Sequence, residues 1–369
     1  MTTLRVEHAS KDYGARPALR DISFEVGEGE FFTLVGPTNA GKSTLLKIIA
    51  GLVRPDRGRV LIKGVDVTGA EPRHRQVSLL FQNVALFPHQ TGFDNIAFPL
   101  RTAGQPLATV RETVQRIAAL LRVEHLLDRL PRTYSGGEQQ RVALGRALAR
   151  PGHLLMLDEP LSNLDARIRT ALRVEFKALH RQSRQSILYV THDQVEAMSL
   201  SDRIAVLNEG EIEQVGTANE IYHRPRTRFV ASFIGTPPMN ILAAEVVGDG
   251  PAMRLRAPEL DVALPGGAAP LRAGRLGIGI RPEQVQVAAE PGPATPIRGN
   301  IHWVEDLGDQ LVLDAQIGGQ PLKALVESHH PVRRAGPAYF GLVPRPEHLL
   351  DLESGMFLPG TTISAQGDR

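Results

Sequence analysis

The chain has 369 residues, 42% of them hydrophobic and 22% charged, an ordinary globular composition and more chain than one compact core holds, so two domains are expected. The 42 Lys and Arg nearly balance the 40 Asp and Glu, and the net charge of +2 gives no electrostatic reason for a nucleic-acid partner. The absence of cysteine excludes disulfides, thiolate metal sites and cysteine nucleophiles.

Met1 to Val6 alternates like a strand and lacks the apolar core of a signal peptide. No apolar run reaches the roughly 18 residues of a membrane span. The chain is therefore expected in the cytoplasm, meeting a membrane only through a partner.

Glu30 to Val35 predicts a strand that ends at Gly36. Apolar residues at Leu45, Ile48, Ile49 and Leu52 then have helical spacing. Between them, Gly36-Pro37-Thr38-Asn39-Ala40-Gly41-Lys42-Ser43 fits G-x-x-x-x-G-K-S. The two glycines let backbone N–H groups wrap a phosphate, and the helix that follows turns its positive end toward it. Lys42 is placed to reach the β- and γ-phosphates, and the Ser43 hydroxyl to ligate Mg²⁺.

Val110, Val114, Ile117 and Leu121 form another helical stripe. Leu154 to Leu157 and Ile187 to Val190 read as buried parallel strands, ending at Asp158 and just before His192. Ligands of open α/β sheets bind beyond such strand ends. There Asp158 is the candidate Mg²⁺ carboxylate and Glu159 the candidate base that activates water. His192 has no claim to a role by spacing alone.

From Leu242 the helical stripes vanish, and short alternating runs such as Arg254 to Leu264 and Gln310 to Ile317 predict a small all-β domain. Arg281-Pro282-Glu283 is echoed by Arg345-Pro346-Glu347. The echo is either a mark of two related half-units or chance.

Tyr134-Ser135-Gly136-Gly137-Glu138-Gln139-Gln140-Arg141 resembles the signature motif of ABC-type ATPases. The order of phosphate loop, Gln82, signature, Asp158-Glu159, Ser162-Asn163-Leu164-Asp165 and His192 matches that family. Phe229 to Gly235, Pro238-Met239-Asn240 and the Arg281 element look like ATPase subunits of maltose-type and glycerol-phosphate-type importers. The resemblance implies an α/β P-loop ATPase over residues 1–235, with a helical subdomain at about 83–150. An OB-like (TOBE) regulatory domain would span 236–369.

It further implies ATP and Mg²⁺ as cofactors. Tyr13 would stack on adenine, Gly36 to Ser43 with Thr44 would cradle the phosphates, and Gln82 would reach Mg²⁺ and the attacking water. Ser135, Gly136 and Gly137 would meet the γ-phosphate held by a second copy, with Asp165 at that interface and His192 on the γ-phosphate. Catalysis would thus fall to Glu159, His192, Gln82 and Lys42, and Mg²⁺ to Ser43, Gln82 and Asp158. The implied partners are a second ATPase subunit, two integral-membrane permease subunits and a solute-binding protein. Permease docking would use Asn83 to Leu100, and the chain would sit peripherally on the cytoplasmic face of the inner membrane. The Ser-Gly-Gly helix start is itself an anion site, and two such sites on one chain fit a nucleotide sandwiched between copies.

Three residues depart from the pattern. Asn39 replaces Gly but tolerates positive φ. Tyr134 replaces Leu, read as packing only. Glu138 replaces Gln and is expected to point away from nucleotide. Among rival functions, the DNA-acting class needs a long coiled coil that the interval from Ser43 to Ser135 cannot hold, and the translation-associated class needs two cassettes. A nucleic-acid-binding barrel needs a basic aromatic face, yet Trp303 is the only tryptophan, and Lys323 is the only lysine beyond Leu242. Separate exporter ATPases rarely carry this barrel. Within importers the Pro-Pro-Met-Asn element favours a carbohydrate or related solute over a polyamine or ferric iron.

Overall fold

The computed structural model describes residues 1–14, 16–81, 85–150, 152–162, 164–248, 253–263 and 274–358. Gln82 and Asn163 lie outside them. The chain divides into two compact units, Met1–Ala218 and Asn219–Arg369.

The first unit runs β1 (Thr2–Tyr13), β2 (Arg16–Gly27), β3 (Phe31–Val35), α1 (Lys42–Ala50), β4 (Arg57–Ile62), β5 (Val65–Asp66) and β6 (Val77–Leu80). The helical stretch α2 (Gly92–Thr102), α3 (Leu107–Leu121) and α4 (Gly136–Ala149) follows. It closes with β7 (Leu154–Asp158), α5 (Ala166–Ser183), β8 (Ser186–Thr191), α6 (Gln194–Leu200), β9 (Arg203–Asn208) and β10 (Glu211–Gly216). Six strands form the central sheet in the order β10-β9-β3-β8-β7-β6. All its pairings are parallel except the β9–β10 hairpin. A separate antiparallel sheet runs β2-β1-β4-β5.

Alternation along the central strands supplies two cores. Phe32, Leu34, Leu154, Met156, Leu188 and Val190 face α1 and the small sheet. Phe31, Leu155, Leu157, Ile187 and Tyr189 share the other core with α2, α3, α4 and α5. Strands covered on both faces must be apolar throughout, hence the uninterrupted runs in the sequence. Arg75 locks the far end of α1: its buried guanidinium donates to Ile48 O and Ile49 O, both at 2.8 Å, and to Thr68 O and Ala70 O at 3.0 Å.

The second unit contains the short helices α7 (Ala218–His223, beginning at the boundary) and α8 (Arg228–Phe233), then ten strands among the described residues. These are β11 (Asn240–Val247), β12 (Arg254–Ala257), β13 (Leu260–Ala263), β14 (Arg275–Ile280), β15 (Gln286–Ala288), β16 (Ile297–Asp306), β17 (Gln310–Ile317), β18 (Gln320–Glu327), β19 (Gly336–Gly341) and β20 (Leu349–Asp351). They make two five-stranded antiparallel sheets, β13-β12-β11-β14-β20 and β15-β19-β16-β17-β18, around one core. Asn240 joins the sheets, donating to Ile280 O and Lys323 O and accepting from Lys323 N.

The Arg-Pro-Glu echo has a structural counterpart. Each copy opens a 3₁₀ turn, Pro282–Gln284 or Pro346–His348, between a long strand and a short one. The short strands are exchanged: β15 pairs with β19, and β20 with β14. The side chains diverge. Arg281 is 0% exposed and donates to Tyr222 O (2.7 Å), Ala231 O (3.2 Å) and Ile234 O (2.5 Å), its guanidinium 4.1 Å from the Tyr222 ring centroid. Arg345 is exposed, and His348 turns inward instead, with Nε2 2.7 Å from His223 O.

Arg281 is therefore expected to hold α7 and α8 onto the barrel. Arg281→Leu removes the guanidinium donor from three carbonyls, leaving Ala231 O only Met239 N–H at 3.4 Å, and should lower the stability of this unit by about 3 kcal/mol. Urea unfolding followed through Trp303 measures this, and a loss below about 0.5 kcal/mol would contradict it.

Candidate nucleotide site

The ends of β3, β7 and β8 lie side by side, with Val35 opposite Thr191 and Asp158 opposite Val190. What leaves those ends forms the site. After β3 the chain turns through Gly36, where a Cβ would lie 2.1 Å from Leu207 O, so only glycine fits. Asn39 adopts φ 67°, an αL conformation that asparagine tolerates. Gly41, at φ 104°, is the N-cap of α1, and a Cβ there would meet Ala18 O at 2.5 Å. Ala40 is buried under this turn, Pro37 is half-buried, and Thr38 is exposed. No side chain caps α1 and no acidic residue lies in its first turn. Its first N–H groups and dipole therefore face outward, with Ser43 and Thr44 half-buried beside them.

Lys42 is buried and folds over the loop, donating to Gly36 O (2.8 Å) and Pro37 O (2.7 Å). Burial lowers its pKa, against the opposing pull of Glu159 and Asp158. Asp158 closes β7, and burial raises its pKa although a hydrogen bond from Ser43 opposes the shift. Its Oδ1 is buried with no hydrogen-bond partner among the described residues. No cluster of three or more His, Asp or Glu side chains able to hold a metal exists among those residues. A serine hydroxyl beside one carboxylate suits Mg²⁺, which takes few protein ligands and completes its shell with phosphate and water. The residues present thus fit that ion.

Glu159 follows in a left-handed conformation, φ 48°, which costs a non-glycine residue about 1 kcal/mol or more. Neighbours hold the turn: Glu159 N donates to Val190 O (2.9 Å), and its carbonyl accepts from Ser162 Oγ (2.9 Å) and Gln140 Nε2 (3.2 Å). The carboxylate, 14% exposed, lies 3.0 Å from His192 Nδ1 on a ring that is 55% exposed. The strand pairing thus brings Lys42, Ser43, Asp158, Glu159 and His192 to one edge.

The other expected residues are placed as follows. Tyr13 ends β1, 52% exposed, with Lys11 Nζ 5.8 Å from its ring centroid. Asp165 is the N-cap of α5 and accepts from Ile168 N. Ser135, exposed, is the N-cap of α4, with Gly136 and Gly137 in the first turn. Glu138 does not point away: it turns back as a capping box, accepting from Ser135 N (2.7 Å) and Ser135 Oγ (2.9 Å), with His125 Nε2 at 3.1 Å. These partners, Ser135 N–H foremost, lower its pKa to about 2. Tyr134 does more than pack, since its hydroxyl lies within hydrogen-bond reach of Leu126 O and Arg129 O.

Two residues were not singled out from sequence. Gln140 is a buried amide on a face of α4 that it shares with Ala143, Leu144 and Ala147, three, four and seven residues on, and that mismatch was the available signal. Arg169, one turn after Asp165, donates to Ser162 O and Leu164 O and pairs with Asp193 at 3.5 Å, linking the loop before α5 to the N-cap of α6 beside His192.

Comparison with known proteins gives a match to the ABC transporter family over residues 19–162, to the MalK OB fold domain over 235–285 and to the TOBE domain over 278–350. The chain is 43% identical over 363 residues to the sn-glycerol-3-phosphate import ATP-binding protein UgpC of Yersinia enterocolitica, covering 96% of this chain and 99% of that protein. UgpC of Pectobacterium atrosepticum is 39% identical over 357 residues, with the same coverages. Among solved structures, the dimeric structure of a bacterial ABC transporter cassette resembles it with a TM-score of 0.54 and 28% identity, over 58% of this chain and 98% of that one. A dimeric post-hydrolysis state of an ATP-binding cassette bound to ADP and phosphate gives the same values.

The capping box has a pH signature. Because its folded pKa is depressed from 4.5 to about 2, Glu138 contributes stability above pH 4.5 that is lost as the pH falls toward about 2. Glu138→Gln keeps the box and loses the charge, so the unfolding free energy of the variant should fall less steeply across that window. Identical slopes in the two chains would contradict the assignment.

Proposed function

The chain belongs to the ABC transporter family, among import ATP-binding proteins with MalK-type OB and TOBE domains, and we propose how its residues share the work of ATP hydrolysis and which solute it serves. As the ATP-hydrolysing subunit of an ABC importer it must hold ATP, activate water and pass the result to a membrane partner. No helix among its described residues is long and apolar enough to cross a membrane.

In this reading the N–H groups from Gly36 to Thr44 bind the phosphates, and Lys42 leaves its two carbonyl acceptors for the β- and γ-oxygens. Asp158 and Ser43 would hold Mg²⁺, which when bound would supply positive charge to offset that of the phosphates. Glu159 accepts a proton from the water whose oxygen attacks the γ-phosphorus as the bond to the bridging oxygen breaks. His192 steadies that carboxylate and reaches the γ-phosphate. The observation that carries the reading is the Glu159–His192 contact at the strand edge holding Asp158 and Lys42.

Ser135, Gly136 and Gly137 present an exposed helix start that one chain's phosphate loop has no need of. Two copies pairing head to tail would put it on the partner's γ-phosphate, with Asp165 at the interface and Tyr13 on adenine, an arrangement in keeping with the dimeric cassettes it resembles. A groove of about 550 Å³ lies between α2 and α4, lined by Leu80, Phe87, Phe98, Ala103 and Arg146. It suits an apolar helix of a permease subunit, the expected membrane partner, with a solute-binding protein delivering cargo. The relatives named for sn-glycerol-3-phosphate import favour a sugar phosphate as that cargo over maltose, a polyamine or ferric iron.

In the transporter assembled with its permease and binding protein, sn-glycerol 3-phosphate should stimulate ATP hydrolysis several-fold. Glu159→Gln should keep ATP binding and lose at least about 100-fold in turnover. Stimulation by another solute would reject the cargo assignment, and normal turnover of the variant would reject Glu159 as base.

A further inference from the structure

We infer that Gln140 is a positioning residue for hydrolysis, its side-chain amide tying the signature helix to the carboxylate-bearing turn of the same chain. The inference rests on the reading of Glu159 as base. The aim of the Glu159 carboxylate is set by its backbone, which stands in the left-handed region at φ 48° and persists only while neighbours hold it. Of the four hydrogen bonds to this backbone among the described residues, three come from nearby: Val190 belongs to the adjoining strand, and Ser162, which donates through both its N–H (3.3 Å) and its Oγ, to the same loop. The fourth, from Gln140 Nε2 to Glu159 O at 3.2 Å, comes from α4, a separate element.

Gln140 is 2% exposed, and its Oε1 has no partner among the described residues. A leucine there would pack without leaving a polar atom orphaned, so packing does not explain an amide. The contact with Glu159 does. Rotating the amide would turn its oxygen onto the carbonyl, so the donating orientation is the favourable one.

The placement on α4 gives the bond its consequence. Ser135 caps the same helix five residues earlier, about 7.5 Å away along the axis. The helix is also clamped to its own subdomain, with Arg141 donating to Leu121 O and Arg122 O, and the Tyr134 hydroxyl reaching Leu126 O and Arg129 O. A displacement of that subdomain would therefore be felt along α4, whose far end Ser78 Oγ holds to β6 through Ala147 O (3.0 Å). Gln140 carries any such movement to the Glu159 carbonyl, so an anion drawn to the Ser135 end reorients the base that acts on the chain's own nucleotide. In a head-to-tail pair, filling one site then readies the other.

Gln140→Met keeps the side chain's length and removes the donor, while Gln140→Glu sets a carboxylate against the carbonyl. In the full chain, Gln140→Met should lower kcat for ATP about threefold to tenfold, with ADP affinity by calorimetry kept within about twofold. Gln140→Glu should lose more near about pH 8 and recover toward the Met variant near about pH 6, as the carboxyl gains a proton to donate. Wild-type kcat in Gln140→Met overturns the inference. So does a joint fall of kcat, ADP affinity and Tm, which would make Gln140 a packing residue. Glu159→Gln measured alongside separates the two failures. If it is inactive while Gln140→Met is normal, only the role of Gln140 fails; if it is active, the reading of the base fails first.

Discussion

The parallel pairing of β3, β8 and β7 is the constraint on which the rest of the site depends. Val35, Thr191 and Asp158 end these strands almost level, so the three segments that leave them begin within reach of one another. A slip of one residue would turn Phe31, Leu155 and Tyr189 into the α1 core and break both packed layers. Two-sided burial thus fixes register, and register fixes the distance from the phosphate loop to Glu159. The chemistry is positioned by hydrocarbon.

The helix starts divide their labour by charge. Asp165 caps α5 and Asp193 caps α6, each satisfying the N–H groups that the helix leaves free. The α1 start carries no such cap, and Lys42 is the charged group at hand. The start of α4 is intermediate, an exposed Ser-Gly-Gly turn already partnered by its own Glu138. An anion reaching α4 must compete with that carboxylate for Ser135 N–H and Oγ, whereas at α1 the dipole is unopposed. The starts of α1 and α4 are therefore unequal in kind.

Much of this was legible in the sequence because the relevant physics is local. Apolar runs ending at Gly36, at Asp158 and just before His192 marked β3, β7 and β8, and the G-x-x-x-x-G-K-S spacing marked a close turn onto a helix. The alternating runs beyond Leu242 gave the all-β character of the second unit. What could not be read depended on distant partners. Arg75, Arg141 and Arg281 look like surface residues in a linear chain, yet each is buried against carbonyls 20 to 59 residues away. The direction taken by Glu138 followed from a reciprocal cap that its one-residue departure from the family pattern did not disclose. The swap of β15 and β20 was foreshadowed by a three-residue echo, but only strand pairing shows that each turn serves the other half.

Amide hydrogen exchange of the full chain, with and without ATP and Mg²⁺, tests most directly the claim that the strand edge is the nucleotide site. The account predicts slowed exchange at residues 36–45 and around Glu159, with the barrel strands from 240 onward unchanged. Protection confined to the second unit, or none at the phosphate loop, would contradict it.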